Sequence, residues 1–231
     1  MQAETPRVAL VAGASGMVGQ ALVRALIAGG EYARVVALTR RPLPFEAPRL
    51  ANRIIRFEAM EEQMRTVVCE DAYCCLGTTR RAAGSARAFR AVDQDLVLRF
   101  ARCAQTAGAR TLVAVSAVGA APESRNLYLR VKGETELALD ALRFRSLHLL
   151  QPSLLLGARA EWRTAEVIGG LLAPLLNPLL LGRYSQWRAI KASTVGAAMR
   201  AAALSGRPGT YRLTWRAMQS LASTGKWPPR L

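Results

Sequence analysis

Lysine is almost missing from this chain: of 32 basic residues, three are lysine (Lys132, Lys191 and Lys226) and the rest arginine. Histidine occurs once, at His148 in the apolar run SLHLLQ, and the four cysteines, Cys69, Cys74, Cys75 and Cys103, show no Cys-x-x-Cys spacing. Metal centres need clustered His, Cys and carboxylates, so none is expected. Cys74 and Cys75 lie in a strand-like run, where cysteine serves as a small inert hydrophobe more often than as a redox group. Aromatic residues make up 6% of the chain and are not interleaved with basic ones. The arginines run from Arg7 to Arg230 in no dense block, so the net charge of +16 reads as arginine bias. Nucleic-acid binding is disfavoured, because stacking platforms and recognition-helix patterns are both missing.

Long hydrophobic runs are missing too. The N-terminus MQAETPRVALVAGASG reaches only five apolar residues before glycine interrupts it, too few for a secretory leader. The stretch LLAPLLNPLLL at 171–181 falls short of the roughly 20 residues that cross a bilayer and contains two prolines. A cytoplasmic protein with no transmembrane segment is expected.

What remains, 231 residues at 51% hydrophobic content, suits one core. Strand candidates fall at 7–12, 34–39, 52–57, 72–77, 111–116 and 146–151, with helical spacing after residue 16 and at about 84–107 and 126–142. Such alternation predicts an α/β fold, a doubly wound parallel sheet with helices on both faces. From 158 the composition changes to Trp-, Pro- and Leu-rich sequence, followed by a helix near 193–204 and a short strand-like YRLTW. The chain is therefore read as one dinucleotide-binding domain, 1–231, with a small C-terminal substrate lobe at about 158–190. Trp162, Trp187 and the leucine run in and beside that lobe suggest a hydrophobic small-molecule substrate.

Gly13, Gly16 and Gly19 stand between the first strand and the first helix, where glycine permits a tight turn and brings backbone amides and a helix N-terminus to a pyrophosphate. After the second strand, where an acidic residue would hold an NAD ribose, the chain has Arg40 and Arg41. Guanidinium groups there can grip a 2′-phosphate, which points to NADP(H).

Ser116 ends the 111–116 strand, and Tyr128 and Lys132 follow four residues apart on the 126–142 helix, which Ser124 or Asn126 would cap. Leu127, Val131, Ala138 and Leu142 mark the apolar face of that helix, leaving the Tyr–Lys pair open to the cleft. A neighbouring ammonium lowers a phenol's pKa and makes it a usable acid or base. Ser116 would bond a substrate oxygen. A lysine is informative in so arginine-rich a chain, because a compact ammonium on a flexible stem suits this task better than a guanidinium.

GASGMVG, CCLGTTR, AVDQDLVL, VSAVGA, YLRVKGETE and the proline of LLQPSLLLG together resemble the atypical short-chain dehydrogenase/reductases, an NAD(P)-binding Rossmann family, and are similar to its Tat-interacting-protein-like oxidoreductases. The likeness runs over roughly residues 7–205. It implies a Rossmann fold that binds NADP(H). Gly13, Gly16 and Gly19 would form the phosphate loop with Ser15, Met17 and Val18 lining it, and Arg40 and Arg41 would be the basic residues after the second strand. Leu76, Gly77 and Thr78 would cover the adenosine side, Ser116, Tyr128 and Lys132 would be catalytic, and Pro152 and Ser153 would flank the nicotinamide. Two positions depart from the pattern: Ala117, where close relatives carry a second serine, and Asp93, where many extended members carry asparagine. Asp93 either tunes Lys132 through water or is structural. The resemblance implies an NADPH-dependent oxidoreductase passing hydride to a carbonyl-like carbon. Its alternative is an NADP(H)-binding regulatory or sensor protein that works through a protein partner.

Overall fold

The computed structural model describes residues 7–156 and 182–228. Seven strands form one sheet: β1 (Val8–Ala12), β2 (Arg34–Thr39), β3 (Leu50–Ile54), β4 (Asp71–Cys74), β5 (Thr111–Val115), β6 (Ser146–Leu150) and a late strand, Gly209–Leu213. Their order is β3-β2-β1-β4-β5-β6 and then the late strand, and every neighbouring pair is parallel. Strand order therefore reverses between β1 and β4, and the crevice opened there lies at the carboxyl ends of the strands.

The central strands are apolar throughout because both sheet faces are covered. Leu10, Ala12, Leu112 and Ala114 point to one face, where α5 (Val97–Thr106) and α6 (Leu127–Asp140) bring Phe100, Ala104 and Leu139. Ala9, Val11 and Val113 point to the other. There α1 (Met17–Gly29), α7 (Ala192–Leu204) and α8 (Trp215–Thr224) supply Leu22, Leu26, Val195, Met199 and Met218. Two short helices, α2 (Met60–Gln63) and α3 (Arg80–Ala83), precede α4 (Ala86–Arg90). Ser85 caps α4 by accepting the Ala88 amide, and α4 then passes through a π-helical turn, Ala91–Leu96, into α5.

Most expected elements are present, with shifted edges. β3 starts two residues earlier than the 52–57 run and ends at Ile54, since its register against β2 runs from Val35↔Leu50 to Thr39↔Ile54. The YRLTW segment gives the seventh strand of the main sheet and is followed by α8, a helix absent from the sequence expectations. Within the expected lobe, residues 157–181, including Trp162 and the leucine run, lie outside the described residues. Residues 182–190 contain a 3₁₀ segment, Gly182–Trp187, and the start of β8 (Ile190–Lys191), which pairs with β7 (Leu155–Leu156). Among the described residues no helix is long and apolar enough to cross a membrane, and no group of three or more His, Cys, Asp or Glu side chains could hold a metal.

Candidate active site

Two adjoining cavities occupy the crevice. The larger, about 780 Å³, is lined by Gly13, Ser15, Thr39, Arg40, Phe57, Glu58, Leu96 and Arg99, among others. The smaller, about 410 Å³, is lined by Met17, Val18, Ser116, Tyr128, Lys132, Pro152 and Ser153. Gly16 and the segment Cys75–Thr78 line both, so the two form one elongated site with a shared wall.

The glycine loop is shaped by backbone contact. Gly13 has φ +74°, and a Cβ there would stand 2.5 Å from the Cys75 backbone; one on Gly19 would run into the Gly13 carbonyl. A Cβ on Gly16 would meet only the Gly13 oxygen at 3.3 Å. Gly16 caps α1 with no side-chain hydrogen bond, and no acidic residue occupies the first turn. That uncapped helix end, facing an elongated cavity, is suited to a dinucleotide's pyrophosphate. Past β2, Arg40 and Arg41 are both exposed, but Arg40 borders the larger cavity and Arg41 does not. Asn52 holds this turn by donating to Thr39 Oγ1 (2.7 Å) and accepting from the Leu43 amide (2.8 Å).

Asn126 caps α6, its side chain accepting from the Tyr128 and Leu129 amides. The helix buries a different face from the one expected: Val131, Lys132, Thr135, Glu136 and Leu139, with Leu137 exposed. Lys132 is thus buried instead of lying open in the cleft, and it is buried because it has a partner. Asp93, turned inward from the π-helical turn, places Oδ1 2.7 Å from Lys132 Nζ and accepts the Thr78 amide on Oδ2 at 2.7 Å. A side chain on Gly77 would press against this pair, its Cβ 3.3 Å from Asp93 Oδ1 and 3.7 Å from Lys132 Nζ.

The electrostatics correct the expectation for Tyr128. Burial drives its phenol up, Lys132 pulls it down and Asp93 pushes it up again, leaving it above its ordinary value of 10. Burial pulls the Lys132 ammonium down, but Asp93 and Tyr128 outweigh that and hold it above its ordinary value. Cys74 nearby is pushed up to about 11 by burial and stays a thiol.

Ser116 borders the smaller cavity, yet its hydroxyl donates to Glu136 Oε1 at 2.5 Å. Glu136 also accepts Gln151 Nε2 and Arg212 Nε, each at 2.8 Å. It stands four residues after Lys132, so the spacing of Tyr128, Lys132 and Glu136 could have revealed it. Phe57, Glu58 and Arg99 of the larger cavity carry no comparable signal. Ser153 bonds the Arg188 carbonyl, tying the 3₁₀ segment to this end of the site.

Comparison with known proteins adds a family. The model of the NAD dependent epimerase/dehydratase family matches residues 9–139. The chain belongs to that family. As a member of the epimerase/dehydratase family it is similar to Protein HTATIP2 of Rattus norvegicus, 37% identical over 160 residues, 68% of this chain and 66% of that protein. It is also 34% identical over 180 residues to Protein FMP52, mitochondrial, of Saccharomyces cerevisiae, covering 77% of this chain and 78% of that protein. Among solved structures, MoeE5 in complex with UDP-glucose and NAD superposes with a TM-score of 0.66 at 19% identity, over 89% of this chain and 74% of that one. DesIV, a dTDP-glucose 4,6-dehydratase from Streptomyces venezuelae with NAD and TYD bound, gives 0.65 at 18%, over 93% and 80%. These structures share the Rossmann fold with this chain, and the family to which it belongs is an NAD-dependent one.

Proposed function

We propose that the protein is an NADPH-dependent oxidoreductase that reduces a carbonyl-like carbon of an apolar small molecule. The observation that carries this reading is Tyr128 beside buried Lys132, in a cavity opening onto the first turn of α1. The dinucleotide, when bound, supplies hydride. Gly13, Gly16 and Gly19 with Ser15, Met17 and Val18 hold the pyrophosphate, Arg40 meets the 2′-phosphate, and Arg41 adds only longer-range charge. Leu76, Gly77 and Thr78 form the wall, and Pro152 and Ser153 border the reacting end. Tyr128, kept protonated, gives its proton to the developing alkoxide. Lys132 orients the ribose, and Ser116 reaches the substrate oxygen by rotating away from Glu136. Leu154 and Leu155, which line the smaller cavity beside Ser153, support an apolar substrate.

Oxidation of NADPH against a panel of carbonyl compounds and quinones tests this. Tyr128→Phe is expected to lower turnover by about 100-fold or more, the usual contribution of a general acid; undiminished turnover would refute the assignment. NADPH binding with no turnover on any compound favours the sensor reading, in which a protein partner receives the signal. For location, the cytoplasm is our reading and the mitochondrial name of the fungal relatives the competing one; fractionation of the tagged full chain separates them.

A further inference from the structure

The acid–base pair has a third member whose charge matters. In this fold a lysine beside the tyrosine would, alone, favour the phenolate, since an opposite charge within about 4–6 Å lowers such a pKa by about 1–3. Here that ammonium is already spoken for. Asp93 Oδ1 lies 2.7 Å from Lys132 Nζ with both side chains buried, and the other carboxylate oxygen is fixed by the Thr78 amide. The placement is built in: Asp93 sits in a π-helical turn, a local distortion common at functional sites. Thr135 Oγ1 on α6 donates to the Asp93 carbonyl at 3.1 Å. The same residue thus joins the dinucleotide wall (Gly77, Thr78), the π turn and the helix bearing Tyr128.

We propose that Asp93 is a positioning residue: by pairing directly with Lys132 it keeps Tyr128 a proton donor, biasing the site toward carbonyl reduction over chemistry that begins from a tyrosinate base. This rests on the acid–base reading of Tyr128 and Lys132 given above. Burial is the first cause that keeps the Tyr128 proton in place, and the charged and titratable groups around it do not overturn that. Asp93 opposes Lys132 at contact distance, Cys74 on β4 is a thiol, and Glu136, two turns along α6, is paired with Arg212. In the favoured step hydride adds to the carbonyl carbon and the C=O π pair moves onto oxygen. The Tyr128 O–H bond breaks as the new O–H forms, and solvent returns one proton to Tyr128. NADPH, one proton and the carbonyl compound give NADP⁺ and the alcohol.

Tyrosinate absorbance measured against pH reads this without a known substrate. The difference between wild type and Tyr128→Phe isolates Tyr128 and is expected to show no ionisation below pH ~10. The difference between Asp93→Asn and Asp93→Asn/Tyr128→Phe should show that tyrosine ionising about one pH unit lower or more. Asparagine keeps the shape and an acceptor for the Thr78 amide. A wild-type Tyr128 that ionises near neutral pH overturns the proposal, even if the Asp93 variant fails to fold. So does a folded Asp93→Asn protein, binding NADPH by quenching of tryptophan fluorescence, in which Tyr128 titrates as in wild type. Failure of the underlying reading is seen elsewhere, as undiminished NADPH oxidation by Tyr128→Phe.

Discussion

Arg40 and Arg41 are adjacent arginines with different positions. Arg40 borders the larger cavity and Arg41 does not, so Arg40→Ala is expected to weaken NADPH by about tenfold while leaving NADH almost unchanged. Arg41→Ala should cost less, its charge acting through solvent. Fluorescence titration with both dinucleotides checks this, and an equal loss for NADPH and NADH would sink the 2′-phosphate assignment. At this scale the sequence was legible where chemistry follows from local spacing. Tyr128 and Lys132 share one helical face, and the glycines stand at the strand–helix junction. It was silent where a partner comes from far along the chain. Asp93 lies 39 positions before Lys132, and burial first, with Asp93 opposing the pull of Lys132, sets Tyr128 above an ordinary phenol. Glu136 could be suspected from its helical spacing after Lys132, but its bond with Ser116, across 20 positions, could not.

Elements with one unambiguous period were readable. The RVVALT run is β2 without adjustment, and the Asn126 cap starts α6 where expected. The π-helical turn was not readable, because five-residue hydrogen bonding leaves no distinctive hydrophobic period. Nor was α8, whose Met218 and Leu221 are a sparse apolar stripe after a strand-like run. Packing between elements makes a sharper demand at Gly133. In an isolated helix interior, alanine would outperform glycine by up to about 1 kcal/mol. Here a Cβ would enter the Ala121–Pro122 backbone, in the loop that joins β5 to α6. Gly133→Ala is therefore expected to destabilise by about 1–3 kcal/mol, as overpacking does. A lower urea midpoint with unchanged slope is the expected result; a midpoint at or above wild type would mean the loop yields freely.

The whole molecule carries an acid-sensitive point remote from Tyr128 and Lys132. His148 on β6 is fully buried, stacked on Tyr211 (5.7 Å) and near Trp227 (5.5 Å), and neither ring nitrogen has a hydrogen-bond partner. Burial first and Arg207 second lower it from 6.5 to about 4. The unfolded chain takes up this proton more readily, so stability is complete above pH ~6.5 and falls as pH drops toward 4, by about 3 kcal/mol from this group. His148→Phe should flatten that part of the stability–pH curve, measured by urea denaturation between pH 7 and 4. A variant with an unchanged acid limb would place the loss in other groups.

The seventh strand also bears on how the molecule is made. Gly209–Leu213 is the only described neighbour of β6 on its outer side, and it leaves the ribosome after every residue that lines the two cavities. Until then β6, with His148 at its centre, is an unpaired sheet edge beside two cavities whose lining residues have all been made. A chain truncated before residue 209 would expose that edge to any passing strand. Aggregation, more than loss of the glycine loop, is how this protein would fail when synthesis stops short.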